Sequence, residues 1–65
     1  MIIVNGQPSE VEAGITLRAL LDALGAPERG VAVAVDAEVV PRGEWDAFVV
    51  PDGARVEVLT AVQGG

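Results

Sequence analysis

The chain has no cysteine, no histidine and no lysine among its 65 residues. Without cysteine there is no disulfide, and without cysteine or histidine there is no ordinary zinc or iron–sulfur site. A Ser–His–Asp or Cys–His arrangement is excluded as well. Schiff-base chemistry has no lysine to use. Side-chain hydroxyls occur only at Ser9, Thr16 and Thr60. A domain of this length buries only about 60% of the surface it exposes when unfolded. The usual staples of small domains being absent, the fold must stand on packing alone.

Positive charge is also scarce. Four arginines face ten acids, for a formal net charge of −6. That balance argues against nucleic acid, whose phosphates require Lys and Arg, and against an anionic membrane surface. The longest apolar run, Val31–Val35, is far short of the roughly 20 residues of a membrane span. No charged-then-apolar leader precedes a cleavage site. A soluble cytoplasmic protein is expected. Carboxylates are plentiful, but so short a chain rarely builds a cleft that holds a pair of them around a substrate. A self-sufficient enzyme is therefore not expected.

What is present is 51% hydrophobic residues in alternating and helical patterns. Met1–Asn5 reads as a strand. Asn5-Gly6 is a two-residue hairpin signal, because both positions tolerate positive φ. A second strand is predicted over Pro8–Glu12, with Val11 as its apolar anchor and Pro8 suited to an edge. Thr16 is a good helix N-cap. Leu17, Leu20, Leu21 and Leu24 then recur at i, i+3, i+4 and i+7, the stripe of one buried helix face. Gly25 stands where a left-handed cap belongs, with Pro27 beyond it.

Val31–Val35 predicts a third strand, with its valines on one face and its alanines on the other. Asp36–Glu38 turns the chain into a short fourth strand, Val39-Val40, ended by Pro41. Arg42–Asp46 is irregular or a single helical turn. Pro51-Asp52-Gly53 is a turn by composition. The last strand is predicted over Arg55–Val62, with Val56, Val58, Thr60 and Val62 on one face and Arg55, Glu57, Leu59 and Ala61 on the other. The order is hairpin, helix, then further strands. One helix covers one face of a mixed sheet of four to five strands, an α+β domain of two layers. The helix is expected to return the chain to a strand running alongside the first, by a right-handed crossover. This is the order of the β-grasp, or ubiquitin-like, fold. Residues 1–62 form the domain, and residues 63–65 a flexible tail.

The tail ends in Gly64-Gly65. One reading is a frayed terminus. The other uses what glycine permits: without Cβ, the chain threads a narrow channel and leaves its terminal carboxylate unhindered. Fully extended, Gln63–Gly65 projects that carboxylate on the order of 10 Å. A Gly-Gly end directly after the last strand of a β-grasp domain favours delivery into another protein's active site.

The chain resembles the ThiS family, sulfur carriers of thiamine thiazole biosynthesis. The resemblance is carried by Asn5-Gly6, by Leu20-Leu21, by Val33–Val35 leading to Val40-Pro41-Arg42 with Trp45, by Gly53, and by the ending Val58-Leu59 and Ala61–Gly65. It implies a cycle in which a ThiF-like adenylyltransferase uses ATP and Mg²⁺ to convert the Gly65 carboxylate to an acyl adenylate. Sulfur from a donor such as a cysteine desulfurase then makes a thiocarboxylate, and thiazole synthase, ThiG, takes the sulfur. Gly64 would supply tail flexibility. The chain itself would bind no cofactor and act as a protein cosubstrate. Alternatives are a carrier for molybdopterin or tRNA thiolation, or a ubiquitin-like modifier or interaction module.

Delivery needs a recognition surface. Strand parity puts Ile3, Leu59 and Ala61 on the face opposite Val4, Val56 and Val58. If the helix covers the latter, the former is an apolar patch for a partner. Glu57 and Glu12 are candidates to steer it toward a basic surface. Trp45 reads either as a plug for the open edge of a small core or as a partner contact. Arg42 reads as a partner contact, as the partner of a nearby acid, or as a donor to loop carbonyls. Asn5 reads as a turn residue.

Overall fold

The computed structural model describes residues 1–27 and 29–60. Strand β1 (Ile2–Val4) turns through Asn5-Gly6 into β2 (Gln7–Ser9). Both turn residues have positive φ, 49° and 83°, the two-residue geometry that matches strand twist. Pairing therefore resumes at Gln7, opposite Val4, and stops at Ser9, opposite Ile2. The second strand is thus earlier than the predicted Pro8–Glu12. Val11 lies beyond it, half-buried against the core.

Helix α1 (Leu17–Leu24) begins at the predicted cap, where the Thr16 hydroxyl accepts the Ala19 amide at 3.2 Å. The two preceding amides donate across the molecule, Leu17 to the Phe48 carbonyl at 2.8 Å and Arg18 to that of Trp45 at 3.1 Å. The helix start is thereby tied to the 45–48 segment, and its first orphan donors are satisfied. At the other end Gly25 is left-handed, φ 73°. Its amide donates to the Asp22 carbonyl, and that of Ala26 to the Leu21 carbonyl, the paired bonds of a Schellman cap. Leu17, Leu20 and Leu21 are buried, but Leu24, the last helical residue, is 46% exposed. The sequence stripe runs one position past the packed face.

Strand β3 (Val31–Val35) turns through Asp36-Ala37 into β4 (Glu38–Val39). Again both turn residues have positive φ, 50° and 72°. The pairing Val35 with Glu38 shifts the fourth strand one residue earlier than predicted. Val40 is then freed to bury its side chain in the core. A single 3₁₀ turn, Arg42–Glu44, follows. Trp45 closes the core beneath it, 2% exposed, with its indole Nε1 donating to the Val40 carbonyl at 3.0 Å. The Arg18 guanidinium lies 5.5 Å from the Trp45 ring centre. Its Nε donates to the Asp46 carboxylate at 2.8 Å.

Strand β5 (Arg55–Thr60) completes a five-stranded sheet of order β2-β1-β5-β3-β4. It is parallel to β1 and antiparallel to β3. The expectation that the helix returns the chain to a strand beside the first is corrected here. β3 lies one strand further out and runs opposite to β1, because β5 occupies the slot between them. Val56 on this strand is fully buried and stands in register between Val4 of β1 and Val35 of β3. The expected extension of this strand to Val62 lies outside the described residues.

The start of β5 is held beside the start of β1. The Gly53 amide donates to the Met1 carbonyl at 2.8 Å, and the Met1 ammonium donates to the Asp52 carboxylate at 2.6 Å. That hydrogen bond, and then the ammonium's charge, hold the Asp52 carboxyl below its ordinary value. A depressed folded-state pKa stabilises the fold above the unfolded carboxylate value, and the effect is lost as pH falls through the folded value. Asp52→Asn should therefore melt below the wild type at neutral pH, and the two melting curves should draw together in acid, as pH falls below the ordinary aspartate value of about 3.9. An equal difference at both pH values would show that the carboxylate's charge is not involved.

Ala37 offers a second test. A left-handed alanine costs about 1–2 kcal/mol, which exceeds the roughly 0.4–1 kcal/mol of added unfolded-state entropy that glycine brings. Ala37→Gly should raise the urea midpoint at unchanged slope; a lowered midpoint would contradict the strain.

Candidate functional site

Cross-strand register defines which residues share the face away from the helix. Directly opposed residues lie on one side of a sheet. Ile3 opposes Pro8 on β2 and Arg55 on β5. Ala34 opposes Glu57 on β5 and Val39 on β4, and Ala32 opposes Leu59. This face carries no helix. Its apolar centre lies over β5, β3 and β4: Leu59 is 69% exposed, Val39 is 75% exposed, and Ala32 is exposed between them. Alternation alone predicts Ile3 and Leu59 on this side, and both lie there. They are not neighbours, however. Ile3 is level with Arg55, four positions before Leu59, about 13 Å along the strand at roughly 3.3 Å per residue. Ile3 is also half-buried. The residues that do join Leu59 are Ala32, Ala34 and Val39. Sequence reading passed over them because their adjacency to Leu59 depends on how β3 pairs with β5, which no local pattern reveals.

Leu59 and Thr60 also wall a shallow hollow of about 400 Å³ with Gly30, Val31 and Ala32. This hollow lies at the end of β5 from which the chain continues toward its terminus. A second hollow, of about 480 Å³, is lined by Met1, Val11, Glu12 and Asp52 among others. It lies at the opposite end of the sheet, where β1 and β5 begin. The two acids proposed as steering charges are thereby separated: Glu57 is on the open face beside the apolar centre, and Glu12 is at the far end.

Trp45 does not belong to this surface. Its ring lies in the core, and the indole N–H is spent on the Val40 carbonyl, so the partner-contact reading is corrected in favour of the core plug. Arg42 is exposed at the start of the 3₁₀ turn, outside the strands that build the open face. Ala61, Gly64 and Gly65 lie outside the described residues.

Asn5 does more than turn the chain. Its side-chain oxygen Oδ1 accepts the Val58 amide at 2.8 Å, and its Nδ2 donates to the Val58 carbonyl at 3.3 Å. Asp36 acts similarly at the other end of β5, where its Oδ1 accepts the Arg55 amide at 2.9 Å. The signal for both was an Asx residue at a hairpin turn, a residue type that tolerates positive φ and bonds nearby backbone. The partner strand was not readable. Among the described residues no cluster of acids is arranged to hold a metal ion, and no helix is long and apolar enough to cross a membrane.

A mixed five-stranded sheet wrapped on one side around a single helix, with the last strand at its centre, is a β-grasp, ubiquitin-like domain. The ThiS family model matches residues 2–65. The sulfur carrier protein ThiS of Escherichia coli is 33% identical over 64 residues, covering 98% of this chain and 97% of that protein. The crystal structure of a thiamine biosynthesis protein, ThiS, from Geobacter metallireducens superposes with a TM-score of 0.83 at 37% identity, over 98% of this chain and 97% of that one. A thiazole synthase from Magnetococcus marinus is 45% identical over 65 residues, which is 98% of this chain but 20% of that protein. The chain thus spans about a fifth of the thiazole synthases it matches. The chain belongs to the ThiS family.

Proposed function

We propose that this chain is a sulfur carrier for thiazole formation in thiamine biosynthesis, with the Gly65 carboxylate as its working group. The observation that carries the reading is full-length similarity to a named sulfur carrier, in a family match that runs through Gly65 itself. The similarity to one segment of thiazole synthases supports ThiG as the acceptor, since a domain of this kind is found within the polypeptide that carries that name.

The chemistry follows from the carboxylate. A free carboxylate is resonance-stabilised and a poor electrophile. Attack of its oxygen on the α-phosphate of ATP, with Mg²⁺ on the departing pyrophosphate, gives an acyl adenylate with AMP as leaving group. A ThiF-like adenylyltransferase performs this step. The terminal sulfur of a persulfide, supplied by a cysteine desulfurase, displaces AMP. Thiol-dependent cleavage of the sulfur–sulfur bond then leaves a thiocarboxylate. That sulfur is a better nucleophile than the oxygen it replaced, and ThiG transfers it to the thiazole precursor. The chain is recharged afterwards. It contributes no acid, base or metal of its own and serves as a cosubstrate. Gly64 lets the arm enter a narrow channel, and the open face around Leu59, Ala32 and Val39 docks on the partners.

Intact-mass measurement after incubation with the adenylyltransferase, ATP, a desulfurase and cysteine should show one oxygen exchanged for sulfur. An unchanged mass beside an enzyme that charges another ThiS protein would overturn the carrier reading. Deletion of Gly65 should abolish charging and leave the amide spectrum of residues 1–60 in place. Leu59→Asp should leave the fold intact, since the residue is mostly exposed, and raise the KM for adenylation at least about tenfold through loss of the apolar contact. An unchanged KM would remove this face from the docking surface.

A further inference from the structure

The β1–β5 ladder ends in an unusual way. Two regular bonds run from β1 to β5: the Ile3 amide donates to the Ala54 carbonyl and the Asn5 amide to the Val56 carbonyl, both at 2.9 Å. Were the parallel ladder continued, the Val58 amide would donate to the Asn5 backbone carbonyl, and the amide of residue 7 would donate to the Val58 carbonyl. Neither arrangement exists, because Asn5 takes a left-handed φ of 49° and Gln7 pairs back onto Val4. The Asn5 carboxamide occupies both places instead. Its Oδ1 takes the bond of the missing carbonyl, and its Nδ2 takes that of the missing amide. One planar group thus stands in for a whole peptide unit.

The position of this rung matters more than its strength. From Val58 to Thr60, β5 is paired with β3 on one side, and the Asn5 carboxamide holds Val58 on the other. Seven residues further on is Gly65. We propose that Asn5 is a positioning residue for the C-terminal arm, fixing the end of β5 from which the terminal carboxylate is presented. This rests on the carrier reading above. A carboxylate that must reach an in-line position on a nucleotide phosphate tolerates little error: misplacement by about 1 Å can cost a hundredfold in rate. Direction at the root of the arm is therefore worth more to turnover than to the stability of the fold.

Asn5→Gly separates the two duties of the residue. Glycine adopts the left-handed turn readily but has no carboxamide. Asn5→Asp keeps the acceptor and sets a carboxylate oxygen against the Val58 carbonyl in place of the donor. Amide exchange in the free chain, with Val56 as internal reference, should show Val58 exchanging roughly tenfold faster in Asn5→Gly, which removes the acceptor, while Val56 follows global stability. In ATP–pyrophosphate exchange with the adenylyltransferase, kcat should fall about five- to tenfold with KM within about twofold. A purely structural role would lower the fraction of competent carrier, raising the apparent KM at unchanged kcat, and that result would overturn the proposal. So would an unchanged Val58 exchange rate in Asn5→Gly. A wild-type chain that supports no pyrophosphate exchange contradicts the carrier reading instead, and the amide-exchange arm still decides whether the clamp exists.

Discussion

The fifth strand, furthest along the described chain, is the middle strand of the sheet. The β1–β2 hairpin and the β3–β4 hairpin do not touch each other within the sheet; β5 alone joins them. Val56 at its centre is fully buried, together with Ala54 just before it. Neither half of the chain can cover its own apolar face until β5 is in place, so the domain depends on pairings of high sequence separation. No disulfide or other staple offsets that dependence. The same constraint serves the proposed function, because β5 runs toward the terminus from the middle of the sheet rather than along its edge.

Two side chains complete what the neighbouring strands leave unfinished. Asp36 and Asn5 each occupy a left-handed turn position, and each uses its own side-chain oxygen to accept a backbone amide of β5, Arg55 at the start and Val58 near the end. The turn conformation and the bond are one device. Positive φ swings the backbone carbonyl away from the ladder, and the short polar side chain fills the vacated place. Glycine would make the turn and lose the bond; a longer amide would reach too far.

Much of this was legible in the sequence, and the rest was hidden for definite reasons. The helix was plain, since the Thr16 cap, the leucine spacing and Gly25 all agree with one another. The sides of β1, β3 and β5 followed from alternation. Strand limits near the two hairpins slipped, because a two-residue turn is set by which pair of residues takes positive φ, and at Asp36-Ala37 one of them is an alanine. Strand order was not legible: nothing local distinguishes a third strand beside the first from a fifth. For that reason Leu59 was identified while its neighbours Ala32 and Val39 were not. Trp45 was ambiguous until its N–H was seen to meet the Val40 carbonyl.

A domain without histidine, cysteine or lysine has few ways to do chemistry with side chains, and the fold spends its polar groups on turns, caps and strand ends. In the proposed function the reacting group is instead the acyl group at the terminus. Tandem mass spectrometry of the chain purified from its own cells during thiamine synthesis tests that claim most directly. Sulfur in place of oxygen on Gly65, and on no other residue, is the predicted result. A chain carrying no such sulfur while the vitamin is being made would contradict it.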